Sequence, residues 1–169
     1  MSNLTGDIWQ DAPALAVKLS GIYSADQCSI IFRIFNEVSK RGGSNEGPVL
    51  REEGVNFNSR PARIAQIIMS ESHEKDVDLL IIAMQATVDV PAGSEESFPN
   101  LLELPGIVAG ALLLDGVRHM HMSTQTRDVI TNRLKNASEV VKKLAADQLA
   151  PELVTKIEHA IDQQERRLK

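Results

Sequence analysis

The apolar residues in the C-terminal third of the chain recur every three or four positions, and this periodicity limits the possible folds most strongly. One apolar stripe runs through residues 124–146, and a second follows Pro151. The stripes comprise Ile130, Leu134, Ala137, Val141 and Leu144, and then Leu153, Ile157 and Ile161. Such spacing places side chains on one face of an α-helix, whereas no segment alternates with the period of two that is typical of strands. The sequence therefore predicts an all-α fold.

Upstream of these two helices, the same periodicity and the usual end signals predict five more. Ser24 and Gln27 have the spacing of a capping box, which begins the second helix, and a proline in the first turn begins the third. The five predicted helices lie at 12–20, from 24 to about 41, from about 61, at 76–90 and at 101–122. We expect one domain, 1–169, built as a compact bundle of about seven helices, with a long loop at 42–58 and a C-terminal helical pair at 124–168.

Composition and charge exclude several classes of function. The net charge is −5, and no basic stripe is present, so neither nucleic acid nor an anionic membrane is expected as a partner. The longest apolar run, Ile107–Leu114, is far shorter than the ~20 residues of a membrane span. The first twenty residues lack the basic region of a signal peptide, and the single cysteine, Cys28, excludes an internal disulfide and suits a reducing compartment. We expect a cytoplasmic protein in which Cys28 fills the core.

Asp115 is the polar residue whose position is least expected. It directly follows three leucines, and Val108 and Ala111 place it on an apolar stripe of the fifth predicted helix. A carboxylate in such a position needs a partner, because an unpaired buried charge is costly. Two alternatives remain open: an ion pair with Arg118 near the helix end, or a site between helices.

The four histidines do not form a recognisable metal site. His119 and His121 are two residues apart, and on a helix this spacing points the two rings in different directions. His73 and His159 lie in polar surroundings, where an exposed side chain is expected. The sequence also lacks a phosphate-binding glycine loop, H-E-x-x-H and C-x-x-C. No metal or other cofactor is therefore expected.

Three segments nevertheless follow one another in the order that is typical of a known protein family. They are GVNFNSRPARIAQII at 54–68, AMQATVDV at 83–90 and LLLDGVRHM at 112–120. Together they resemble the small HD-domain phosphohydrolases of the RelA/SpoT type, which remove phosphates from nucleotides such as guanosine tetraphosphate. The resemblance spans residues 35–165 and implies an HD-like fold.

The positions that correspond to the family's catalytic site have largely lost their ligands. These positions are Arg60, Gln85, Ala86, Asp89, Asp115 and His119. Arg60 stands where the family has a histidine before the proline, and Gln85 and Ala86 replace its His-Asp pair. Asp89 replaces a glutamate, His119 replaces an asparagine, and Asp115 alone matches a metal ligand.

The resemblance therefore implies a site without a metal ion. Arg60 carries a permanent positive charge and would repel a cation, Gln85 is a feeble ligand, and Ala86 offers none. Without metal-activated water, hydrolysis should be lost. We expect Arg60 to occupy the place of the metal's charge and to pair with Asp115.

Three functions follow from these patterns. The first is a catalytically degenerate HD-domain protein that binds a phosphorylated nucleotide or acts as a regulatory module. The second is a structural or interaction protein without a small-molecule ligand, docking or forming a homo-oligomer through helices 124–168. The third, ranked lowest, is a metal-dependent phosphohydrolase with relocated ligands drawn from His73, Asp89, Asp115 and His119.

Overall fold

The computed structural model describes residues 20–46, 60–71, 76–90, 93–120, 126–147 and 149–168. These residues form helices and connections, with no strand among them, which confirms the predicted all-α class. The α-helices are α1 (Ala25–Glu46), α2 (Arg60–Glu71), α3 (Val77–Asp89), α4 (Gly106–Arg118), α5 (Arg127–Ala146) and α6 (Pro151–Arg167). Residues 20–22 are also helical, and two short 3-10 turns lie at Glu95–Ser97 and Leu101–Glu103.

The chain divides into two compact units, Met1–Asp89 and Val90–Lys169. The first unit contains α1, α2 and α3, and the second contains both 3-10 turns and the last three helices. The expected organisation as one domain stays a prediction.

The core of the first unit forms where α3 packs against α1 and α2. Its fully buried members are aliphatic side chains and Met84, as expected for a chain with few aromatic residues. They include Ile31, Val38, Ile64, Ile68, Leu80 and Met84. Cys28 is buried as predicted, and burial raises the pKa of its thiol, which disfavours the nucleophilic thiolate.

The predicted capping box at the start of α1 is confirmed. The backbone N–H of Gln27 donates to Oγ of Ser24 at 3.2 Å, and the N–H of Ser24 donates to Oε1 of Gln27 at 3.0 Å. Each residue thus satisfies a backbone donor that the first helical turn would leave without a partner.

Replacing Ser24 with alanine should lower the free energy of unfolding by about 1 kcal/mol, because this cap is lost. The matched control is Ser29→Ala in the same helix, where the hydroxyl only donates to the carbonyl of Ala25 at 3.1 Å. That control should be neutral or slightly stabilising. Urea denaturation measures both changes, and equal losses would contradict the capping role.

In the second unit, α4 is the buried helix that the sequence predicts. Every residue from Val108 to Asp115 is buried, and the predicted stripes of α5 and α6 are buried as well. A Cβ atom on Gly110 would lie 2.9 Å from Cδ2 of Leu153, so α4 and α6 approach closely there. Further along, Gln164 contacts the carbonyl of Val117 at 2.7 Å. These contacts show that α4 and α6 run in the same direction and end side by side.

Three details of the sequence prediction are wrong. The helix predicted at 101–122 begins only at Gly106 and ends at Arg118, because Pro105 precedes it and a 3-10 turn occupies Leu101–Glu103. The predicted loop at 42–58 starts later, since α1 continues to Glu46. The helical spacing of Ile30, Ile34 and Val38 predicts that Ile30 belongs to the apolar stripe of α1, but Ile30 is 40% exposed. The remainder of that loop and residues 12–19 of the first predicted helix lie outside the described residues.

Within the part of the chain that the structure describes, no helix combines the length and the apolar character that crossing a membrane requires.

Candidate functional site

The six positions singled out by the HD resemblance fall in both units. Arg60, Gln85, Ala86 and Asp89 belong to the first unit, and Asp115 and His119 belong to the second. The expected pair between Arg60 and Asp115 would join the two units, and it stays a prediction.

Arg60 is a buried cation at the start of α2. Its side chain is only 3% exposed, and Nη1 donates to the backbone carbonyl of Thr87 at 2.7 Å. Thr87 lies in the last turn of α3, where carbonyl groups have no partner within the helix and carry negative partial charge. The guanidinium therefore satisfies an end carbonyl of α3 and ties α2 to it.

The other three positions of the first unit do not converge on Arg60 as a ligand set. Ala86 is buried in the core, whereas Gln85 and Asp89 are exposed. Asp78 and Ile82 are exposed on α3 as well, so this polar face is solvated, as an ordinary surface helix would be.

In the second unit, Asp115 and His119 meet at the end of α4. The Asp115 side chain is 3% exposed and that of His119 is 52% exposed, with Oδ1 and Nε2 separated by 3.6 Å. The two groups form an ion pair when the imidazole is protonated. The ion pair between Asp115 and Arg118, one of the two alternatives that the sequence left open, is not formed. Arg118 lines a cavity instead.

His119 is the C-cap residue that directly follows the last helical residue of α4, Arg118, and has φ −109° and ψ 27°. The argument that His119 and His121 point apart on one helix therefore no longer applies. His121 and His73 lie outside the described residues, and His159 is exposed on α6, as expected. Among the residues described, no three His, Cys, Asp or Glu side chains are grouped so that they could hold a metal ion.

A buried acidic turn was missed by the sequence analysis, which predicts only a loop from Pro91 to Pro99. Glu95 is 2% exposed and Glu96 is 8% exposed in the first 3-10 turn. Oε1 of Glu96 accepts from Nε of Arg133 at 2.7 Å, and Oε1 of Glu95 accepts from the N–H of Gly93 at 3.0 Å. One signal could have revealed the pair: Arg133 follows Ile130 by three positions and therefore borders the apolar stripe of α5.

The adjacent ends of α4 and α6 are joined by Gln164, which is 4% exposed. Its Nε2 donates to the carbonyl of Val117 at 2.7 Å and to that of Arg118 at 3.3 Å. Its Oε1 accepts from Nη1 of Arg167 at 3.1 Å. The amide therefore satisfies end carbonyls of α4 and fixes the position of an arginine of α6.

No family model matches the chain, and neither a curated protein nor a solved structure is significantly similar to it.

Proposed function

We propose that the chain is a helical binding or regulatory module of the HD type that has no hydrolytic activity and recognises a phosphorylated nucleotide. The burial and the hydrogen bond of Arg60 support the loss of hydrolysis. This guanidinium is buried and donates at 2.7 Å to a carbonyl of the last turn of α3.

Arg60 is incompatible with the histidine ligand that the resemblance would require at its position. A guanidinium stays protonated under all ordinary conditions and has no lone pair to offer a metal ion. Its positive charge would also repel a divalent cation brought into the same place. Ala86, where a carboxylate would be needed, contributes no donor atom.

The proposal is tested on the purified full chain after incubation with Mn²⁺ and removal of free ion. We expect no stoichiometric metal by mass spectrometry and no phosphate release from guanosine tetraphosphate. We also expect the melting temperature to rise with guanine or adenine nucleotides, because a ligand that binds only the folded state stabilises it.

Two outcomes would count against the proposal in different ways. Stoichiometric metal together with phosphate release would overturn the loss of hydrolysis. An unchanged melting temperature with every nucleotide would contradict nucleotide binding and favour the structural or interaction protein. Light scattering would then measure self-association.

Replacing Arg60 with methionine should lower the free energy of unfolding by about 2 kcal/mol, because a buried carbonyl loses a charged donor. Arg33→Met is the matched control, since Arg33 is exposed on α1 and its loss should cost less than about 0.5 kcal/mol. Chemical denaturation measures both. A loss in Arg60→Met as small as in the control would show that the buried contact contributes little.

A further inference from the structure

A cavity lies beside the C-terminal ends of α4 and α6, within the second unit. Its volume is about 480 Å³, and it is lined by Arg118, Ala160, Gln163, Gln164, Arg166 and Arg167. This volume lies in the range of about 300–1,000 Å³ that is typical of small-molecule sites. The cavity is open to solvent, and its three arginines are exposed. None of the six lining residues is a position of the HD resemblance, so an inference about this cavity deepens the nucleotide-binding part of the proposed function and does not depend on the loss of hydrolysis.

The lining is strongly cationic, and local groups only partly neutralise it. Three of the six residues are arginines, and no carboxylate is among them. Asp162 pairs with Arg166 at 3.0 Å and removes one charge. The carboxyl ends of α4 and α6 contribute about half a negative charge each. Only one of the three arginines has a carboxylate partner among the described residues.

Two of the arginines differ in a way that suits ligand binding. Arg167 is held in place by Oε1 of the buried Gln164, at 3.1 Å. The guanidinium of Arg118 makes no hydrogen bond or ion pair with any residue that the structure describes, and Arg118 lines the cavity. One cation is therefore prearranged, and the other is available to close on an anion.

We propose that this cavity binds the phosphate groups of a small phosphorylated molecule, such as a nucleoside diphosphate. Guanidinium groups donate paired hydrogen bonds that match the geometry of phosphate oxygens, and they bind them with charge assistance. The cavity exceeds the size of a single phosphate, so an organic part attached to the phosphates can enter it. Gln163 offers an amide with both a donor and an acceptor for that part.

The experiment is isothermal titration of the full chain with pyrophosphate, ADP and adenosine. We expect pyrophosphate and ADP to bind, and adenosine, which lacks phosphate, to bind at least tenfold more weakly than ADP. Binding of pyrophosphate should weaken as the salt concentration rises, because exposed charges are screened. Tighter binding of ADP than of pyrophosphate would indicate that the nucleoside also contacts the cavity.

Three variants locate the binding. Arg118→Met and Arg167→Met should each weaken ADP binding at least tenfold, whereas Arg118→Lys should retain an intermediate affinity. Arg127→Met is the matched control, because Arg127 is exposed on α5, lies outside the cavity, and changes the net charge equally. Circular dichroism confirms that each variant is folded before titration.

Two results would overturn the proposal. One is the absence of pyrophosphate and ADP binding at millimolar ligand. The other is an equal loss of affinity in Arg118→Met and Arg127→Met, since the net charge of the chain, rather than this cavity, would then explain the loss. Neither result bears on Arg60 or on hydrolysis. An equal loss in the two variants would reject this cavity but leave nucleotide recognition by the chain standing, whereas the absence of ADP binding would also count against nucleotide recognition.

Discussion

Replacing Glu96 with leucine should lower the free energy of unfolding by about 2–3 kcal/mol, because it removes a short, largely buried charge-assisted contact with Arg133. Oε1 of Glu96 and Nε of Arg133 are 2.7 Å apart, and the two side chains are only 4% and 13% exposed. Water can therefore reach the guanidinium only in part. The pair also fixes the first 3-10 turn against α5, so its loss should release that turn.

The pair should stabilise the fold less than the single variant suggests. Oε2 of Glu96 is buried and has no hydrogen-bond partner among the described residues, so part of the cost of burying this carboxylate is not offset. Replacing both members with apolar residues of similar size removes both desolvation penalties at once. We therefore expect Glu96→Leu combined with Arg133→Met to be more stable than Glu96→Leu alone.

A double-mutant cycle by urea denaturation measures this coupling. Asp162→Ala, which breaks the exposed pair with Arg166, is the control and should change stability by less than about 1 kcal/mol. Additive losses in the Glu96 and Arg133 variants would show that the two charges do not stabilise each other.

The helices could be predicted from the sequence because their determinants are local. The stripe on α5 and the capping box of Ser24 and Gln27 both act over distances of three or four residues, and the structure contains both. The ends of α4 were predicted less well. Its apolar pattern continues on both sides, and Pro105 and His119, rather than hydrophobicity, set where it begins and ends.

The buried polar contacts could not be predicted, because each depends on residues far apart in the chain. Glu95 and Glu96 lie in a stretch of serine and glutamate that, read locally, indicates a solvated loop. They are buried only because Arg133 and the backbone of α4 meet them there. Arg60 was identified through the family resemblance, but its contact with the carbonyl of Thr87 follows from the packing of two helices. Periodicity carries no information about such pairs.

Replacing Gly116 with alanine should lower the free energy of unfolding by about 3 kcal/mol. The new Cβ would lie 2.6 Å from Oε1 and 2.7 Å from Cδ of Glu95, so the buried carboxylate would have to move. That movement breaks its hydrogen bond with the N–H of Gly93, a charged contact worth about 1.5–3 kcal/mol, and adds about 1–3 kcal/mol of packing strain. The higher helix propensity of alanine offsets only about 1 kcal/mol.

Gly116→Ala should stabilise the chain, rather than destabilise it, when the side chain of Glu95 is removed. Glu95→Ala removes the three atoms nearest to that Cβ atom, Oε1, Cδ and Cγ of Glu95, and Gly116→Ala should then stabilise the chain by up to about 1 kcal/mol through helix propensity. Gly106→Ala is the matched control on α4, because its Cβ would meet only Cδ1 of Leu149 at an ordinary 3.9 Å. Thermal and urea denaturation of the four chains measure the reversal. If Gly116→Ala costs the same with and without Glu95, then strain within α4, rather than this carboxylate, accounts for the glycine.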